Sequence, residues 1–443
     1  MTLQSDTQVQ RPVPLSIDTF LALVVLAVPF VVATIALHGL SDHILTFHGS
    51  DEEIFHYPII RKFIATFPKM DLSDYPSATT PLYHVVSAMI GKLVSSDIRV
   101  LRAANVLISY ASAVAIFALF QREIMTGWLT SLLVALTMVL SPYVFGVSFL
   151  LMTDNLAMLF AIGAIWCAMR YLRTGQWDMV ALAALLACCA IVTRQFYLWL
   201  LIIILVASVA RKLEWPTERA LSGALVLILL ALAPFVVLCV LWGRLTPPQF
   251  QFHAASTLRI APPAFFTASL GMYSAPFLVL GAYKASTLSL QTRNVARMAV
   301  VVLTSAVLLW FGQLHYVREA VDCNAAATCF VTDGYLWRLS QLFPNIGQTS
   351  LLFYVLVPLG IIALLCVPRN KAGLFAITTY MSFGFFSIGQ VSLFQKYYDV
   401  PALLVVCLIF TGIRSDRTVQ AVLSLYCVSF VAYAVIRQIT PLS

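Results

Sequence analysis

Charge is what this chain has least of. Of its 443 residues only 10% are Asp, Glu, Lys or Arg, 27 basic and 19 acidic, where a soluble domain carries about 25%. So few charges cannot solvate the surface of a 48.9 kDa protein, which excludes soluble enzymes, disordered scaffolds and disulfide-rich secreted domains. Nucleotide signatures are missing as well: no predicted strand runs into Gly-x-Gly-x-x-Gly, and there is no P-loop. No Cys/His set has zinc-finger spacing and no His-x-x-x-His occurs, so neither a metal nor another cofactor is expected. Internal repeats and low-complexity segments are absent too.

Apolar residues take the place of charge, at 61% of the chain and a mean hydropathy of +0.91. They gather in thirteen runs, near 17–37, 99–120, 128–148, 155–172, 178–193, 195–210, 220–243, 264–283, 298–314, 346–367, 372–390, 400–413 and 418–438. Runs of about 20 apolar residues read as spanning helices, not barrel strands. The expectation is an all-α polytopic membrane protein, a bundle of about 12–13 transmembrane helices. The first run follows a short polar tail and is longer than the apolar core of a cleavable signal peptide, so it is expected to be retained.

The net charge of +8 comes from basic residues scattered singly between apolar runs. That is a pattern of loop anchors and not of a nucleic-acid stripe. With the N-terminus cytosolic, the short inner loops hold thirteen Lys or Arg, while the short outer turns hold only Arg194 and Lys396. Twelve of the nineteen acids then fall outside, as do the long loops 38–98, 244–263 and 315–345. Seven cysteines lie in apolar runs as small hydrophobes. Cys323 and Cys329 share an outer loop and are candidates for a disulfide in an oxidising compartment.

The first outer loop carries the densest polar signal. Ser50 or Asp51 can cap a helix whose first turn holds Glu52 and Glu53. Ile54, Phe55, Ile59, Phe63, Ile64 and Phe67 fall roughly on one face, which predicts an interfacial helix with its acidic N-terminus at an outer cavity. A second short apolar helix, too short to span, is expected after Thr79-Thr80-Pro81-Leu82-Tyr83-His84. The acids either cap a helix and keep a loop wet, or supply a general base at the lip of a membrane cavity.

An Asp-Glu pair opening an amphipathic helix soon after the first transmembrane helix resembles the GT-C membrane glycosyltransferases. More closely, five segments resemble the α-1,2-glucosyltransferase family that uses dolichyl-phosphate glucose. They are Asp-Glu-Glu-Ile-Phe-His (51–56), Thr-Thr-Pro-Leu-Tyr (79–83), Leu-Arg-Ala-Ala-Asn-Val-Leu (101–107), Met-Thr-Asp-Asn (152–155) and Thr-Arg-Gln (193–195), in that family's order. Beyond residue 210 the likeness thins to His253, Tyr335-Leu336-Trp337-Arg338 and Lys396-Tyr397-Tyr398. The family motif has one acid fewer, so the pair is Glu52–Glu53 or Asp51–Glu52 depending on the anchor. Asp51 is preferred as the base because it sits at the cap. The long cytosolic insert of the eukaryotic enzyme is absent, which leaves room for a bacterial relative.

The resemblance implies one transmembrane domain over 1–443, with a first outer loop at 38–98, a GT-C core at 99–210 and C-terminal helices at 211–443. It implies an inverting glycosyltransferase that moves a sugar from a polyprenyl- or dolichyl-phosphate donor to a hydroxyl of a lipid-linked glycan or other acceptor. The site would open on the periplasmic or lumenal side of a bacterial inner membrane or the endoplasmic reticulum. Asp51 and Glu52 are the catalytic candidates. Asp154, Arg194, His56, His84 and His253 are candidates for binding substrate, and Arg61, Lys62, Arg338 and Lys396 for meeting the phosphate. Each has a plainer reading: Asp154 as a helix cap, Arg194 as a headgroup anchor, the histidines as structural hydrogen-bonders, and the outer cations as lipid contacts. The rival function is a secondary transporter, which the lack of internal repeats and of mid-span acids disfavours.

Overall fold

A backbone in hydrocarbon has no water to satisfy its N–H and C=O groups and must bond within itself. All thirteen apolar runs accordingly contain helix in the computed structural model of the chain. The structure describes residues 17–37, 51–214, 220–247, 249–250, 258–282, 292–314, 331–390, 392–413 and 417–439. His253, Cys323, Cys329 and the Gly49-Ser50 pair lie outside the described residues.

Two compact units divide the chain: Met1–Phe250 with Phe430–Ser443, and Gln251–Ser429. The first begins with α1 (Ile17–Ala36), whose Phe30 packs against the rings of Tyr110, Phe145 and Phe149. A π-helical turn (Glu52–His56) runs into α2 (Tyr57–Thr66), with Pro58 in the first turn, where its missing N–H costs nothing. Then come α3 (Leu82–Leu93) and α4 (Ile98–Arg122). Asp97 caps α4 by accepting the Arg99 N–H at 2.8 Å. The 12 residues of α3 rise only about 18 Å, well short of a hydrocarbon core of roughly 30 Å, so α3 does not span.

The run at 128–148 is broken in two, α5 (Trp128–Val139) and α6 (Pro142–Val147), because Pro142 cannot donate into a continuing helix and restarts one instead. Next, α7 (Asp154–Thr174) and α8 (Trp177–Thr193) form a close antiparallel pair. Gly175 joins them in the left-handed region (φ 72°), which spares a Cβ penalty at this helix end. Arg194 is extended, and a 3-10 turn (Gln195–Trp199) feeds α9 (Leu200–Glu214) and α10 (Ala220–Trp242). On α10, Leu229, Val237 and Val240 stay 65–77% exposed, a face suited to lipid.

The second unit opens with α11 (Ala261–Ala282) and α12 (Thr292–Gly312). After β1 (Val331–Asp333) and α13 (Tyr335–Ser340), β2 (Asn345–Ile346) and β3 (Thr349–Ser350) pair antiparallel with Asn345 opposite Ser350. Then follow α14 (Leu351–Leu365), α15 (Lys371–Ser387), β4 (Ser392–Phe394) and α16 (Lys396–Ile413). β4 is parallel to β1, with Asp333 facing Phe394. The chain ends with α17 (Arg417–Ile439). Helices α11 and α14 approach so closely that a Cβ on Gly271 would overlap the Leu356 carbonyl, and one on Gly360 the Thr267 carbonyl. Gly271→Ala should therefore destabilise this unit by about 1–3 kcal/mol, seen as a lower melting temperature in detergent. An unchanged melting temperature would contradict the close approach.

Among the described residues eight helices are long and apolar enough to cross a membrane, and five shorter apolar helices accompany them. The protein is an all-α, multi-pass integral membrane protein.

Candidate functional site

Four polar residues recur along α4 at helical spacing, Arg102, Asn105, Ser109 and Ser112, and all are buried. Positions three and four apart share a face, so they form one polar stripe in an apolar helix. Such residues need partners inside the protein, and each finds one outside α4, with Ser109 and Ser112 both meeting Asn155.

Asn105 spends its amide N–H groups on three carbonyls, Val147 at 3.0 Å, Ser148 at 3.3 Å and Leu150 at 2.6 Å. This fastens the turn between α6 and α7. One residue on, the Leu151 N–H donates to Glu52 Oε1 at 2.8 Å. Arg102, one turn before Asn105, closes the ring with its Nε to Glu52 Oε1 at 3.1 Å and Nη2 to Oε2 at 2.6 Å. Both partners of this bidentate pair are buried, with 0% and 1% exposure for Glu52 and Arg102. The Asn155 amide donates to Ser109 Oγ at 2.6 Å and Ser148 Oγ at 3.0 Å, locking the start of α7 to the same stripe.

The other segments join here. Asp154 forms an ion pair with Arg194 at the end of α8. Thr80 Oγ1 donates to the Ile191 carbonyl at 2.7 Å, and Gln195 Nε2 to the Ala78 carbonyl at 2.8 Å, tying the 78–80 turn to the same helix end. Tyr83 lies within electrostatic reach of both Glu52 and Asp154. Beneath these polar contacts Ile60, Tyr83, Leu101, Leu151 and Leu156 form one buried apolar cluster. All five segments that carry the glycosyltransferase resemblance meet in this one place.

The turn at 51–56 differs in orientation from the amphipathic reading. Its buried face is Glu52 and His56, continuing through Ile59, Ile60 and Phe63, while Ile54 and Phe55 are exposed. The reason is Arg102, fifty residues away, which draws Glu52 inward. Asp51 is half-buried at the head of the turn; its backbone is helical and its side chain makes no cap bond.

His56 and His84 are brought together, with Nδ1 of the first 2.9 Å from Nε2 of the second and the rings stacked. The Tyr75 hydroxyl bonds His84 Nδ1, and all three side chains are buried. Burial above all, then the neighbouring His56, holds the His84 imidazole well below its ordinary value of 6.5. His84 is thus neutral when folded but takes up a proton in the unfolded chain below about pH 6.5. The unfolded state binds more protons there, so stability is full above that pH and falls as pH drops beneath it. Melting temperature should decline between pH 7 and 5, with a shallower slope in His84→Asn; identical slopes would refute this origin.

The candidate cations sit on other elements. Arg61 and Lys62 are exposed on α2, away from its buried face, with Arg61 over the Tyr57 ring at 5.9 Å. Arg338 is exposed on α13 and Lys396 half-buried at the start of α16, both in the second unit. Among the described residues no three His, Cys, Asp or Glu side chains gather as a metal site. Sequence reasoning did not single out Arg102 or Tyr75. For Arg102 a signal existed, since a cation within a spanning helix needs a buried counter-charge.

No protein-family model matches the chain, and no curated protein matches it in sequence. Solved structures similar to it include two of ArnT from one organism. ArnT from Cupriavidus metallidurans in the apo state is 15% identical with a TM-score of 0.45, over 88% of this chain and 60% of that one. ArnT from the same organism bound to undecaprenyl phosphate is 14% identical with a TM-score of 0.47, over 89% and 59%. The chain spans about three fifths of the length of these structures.

Proposed function

We propose that this protein is an inverting glycosyltransferase of the GT-C class that takes its sugar from a polyprenyl-phosphate donor on the outer face of the membrane. The observation that supports this reading is the convergence of five sequence segments around the 51–56 turn, at the end of the bundle where α4 and α7 begin. In this reading the two acids divide the work. The Glu52 carboxylate is engaged on both oxygens by Arg102 and also accepts the Leu151 N–H, which suits an anchor. Asp51, half-buried beside it, is the base.

Asp51 takes the proton of an acceptor hydroxyl as that oxygen attacks the anomeric carbon from the face opposite the phosphate. The bond from carbon to the phosphate oxygen breaks, polyprenyl phosphate departs as an anion, and the proton passes from Asp51 to water. A phosphate leaves without being protonated, so one carboxylate suffices, and cations stabilise the developing charge. Asp154, Arg194, His56 and His84 shape the substrate side, with the acceptor a lipid-linked glycan or another hydroxyl.

Purified protein incubated with a panel of polyprenyl-phosphate sugars and lipid-linked acceptors should form a glycosidic product with inverted anomeric configuration. Retained configuration would exclude the single-displacement step. Uptake of substrate into sealed vesicles with no product would make the protein a transporter instead.

A further inference from the structure

The second unit holds a buried carboxylate that this mechanism leaves without a part. Asp399, in the first turn of α16, is 0% exposed, and so is Gln395 one turn before it. Gln395 acts as a fork: its Nε2 donates to Asp399 Oδ1 at 3.1 Å, and its Oε1 accepts the Leu336 N–H at 2.7 Å. The Tyr335 hydroxyl lies 3.5 and 3.4 Å from the two Asp399 oxygens and also bonds the Tyr273 hydroxyl. Trp337 Nε1 donates to the Leu393 carbonyl at 2.8 Å, and β1 runs parallel to β4 alongside. Residues 331–337 are thereby bolted onto 392–399.

Each bolted segment carries one cation just beyond the bolt. Arg338 follows Trp337, and Lys396 follows Gln395. The Lys396 ammonium is held over the Phe394 and Tyr397 rings at 5.6 and 5.5 Å. Two cations on separate segments can share one phosphate only if their backbones keep a set spacing, because ordering long side chains on binding is costly. Directional hydrogen bonds fix a register that apolar packing would let slide. A buried carboxylate is a poor choice for packing alone, since a hydrophobic residue of similar volume serves at least as well.

We propose that Asp399, acting through Gln395 and Tyr335, is a positioning residue for lipid-phosphate recognition. It sets the spacing of Arg338 and Lys396 as a two-cation edge for the phosphate of a polyprenyl carrier. This rests on the polyprenyl-phosphate donor proposed above. None of these three lock residues touches substrate; their effect passes through the two cations.

The test measures binding of undecaprenyl phosphate to the purified full-length protein in detergent, with inorganic phosphate and phosphatidylglycerol as competitors. Arg338→Ala, Lys396→Ala, Tyr335→Phe and Asp399→Asn are compared with Tyr380→Phe. The last removes a similar buried hydroxyl contact, to Thr267 Oγ1 at 2.7 Å, elsewhere in the same unit. Tyr335→Phe and Asp399→Asn should weaken binding about tenfold and raise KM for the lipid donor to match, with kcat within about threefold of wild type. Tyr380→Phe should bind as wild type, and inorganic phosphate should compete where phosphatidylglycerol does not. If Asp399→Asn fails to fold, Tyr335→Phe, which removes one oxygen, decides alone. Wild-type binding in both lock variants, with weakened binding in both cation variants, would overturn the lock and leave the phosphate reading standing. Wild-type binding in the cation variants would overturn both. Equal weakening in Tyr380→Phe, or displacement by phosphatidylglycerol, would overturn the lock in favour of general damage or a generic anionic-lipid surface.

Discussion

Asp51→Asn is expected to lower kcat about 10²- to 10⁴-fold, the usual worth of a positioned general base, while the protein elutes and melts as wild type. The amide keeps the shape and polarity of the side chain and loses only its capacity to take a proton. Loss of turnover with intact folding therefore isolates the base. A sharper form of the test replaces the acceptor with azide. This anion attacks the anomeric carbon without being deprotonated and gives a glycosyl azide plus polyprenyl phosphate. Its reaction should survive in Asp51→Asn even as transfer to hydroxyl acceptors is lost. Equal loss of both reactions would mean that Asp51 acts on donor binding, and full turnover with a hydroxyl acceptor would remove it from the mechanism.

Helices were the most legible part of this protein, because hydrocarbon leaves a spanning backbone no alternative and the apolar runs mark it directly. The break at Pro142 was hidden inside an unbroken apolar run, since hydropathy does not register a missing N–H. The second unit's pairing of β1 with β4 was equally hidden, because it joins segments some sixty residues apart (Val331 with Ser392). In the site, the five segments were legible as a set only through the resemblance to a family, and their partners were not legible at all. Whether Asp51 or Glu52 turns inward depends on Arg102, and nothing near position 52 announces a guanidinium half a hundred residues on. The same holds for Asp399, whose partners Tyr335 and Tyr273 come from two other helices. Periodicity reads neighbours along a helix; a buried charge is settled by neighbours across helices.

Arg102→Met should sharply destabilise the first unit. It removes the guanidinium and leaves the Glu52 carboxylate buried with the Leu151 N–H as its remaining partner here. Breaking a buried pair from one side costs about 3–5 kcal/mol, because a charge is left without its counter-ion. Glu52→Gln strands the opposite charge and should cost a similar amount. The double variant Glu52→Gln/Arg102→Met leaves no charge at this pair, and neutral replacement of a buried pair is often close to harmless. It should therefore be more stable than either single variant, a coupling that a double-mutant cycle of melting temperatures in detergent would read directly. Additive losses would mean the two side chains are not the pair described. Activity separates the remaining alternatives. If Glu52 anchors the turn that carries Asp51, the double variant should fold yet turn over slowly, since the neutral pair no longer clamps residue 52 onto both α4 and the Leu151 amide. If Glu52 were instead the base, the double variant would be as inactive as Asp51→Asn is expected to be, and Asp51→Asn itself would retain turnover.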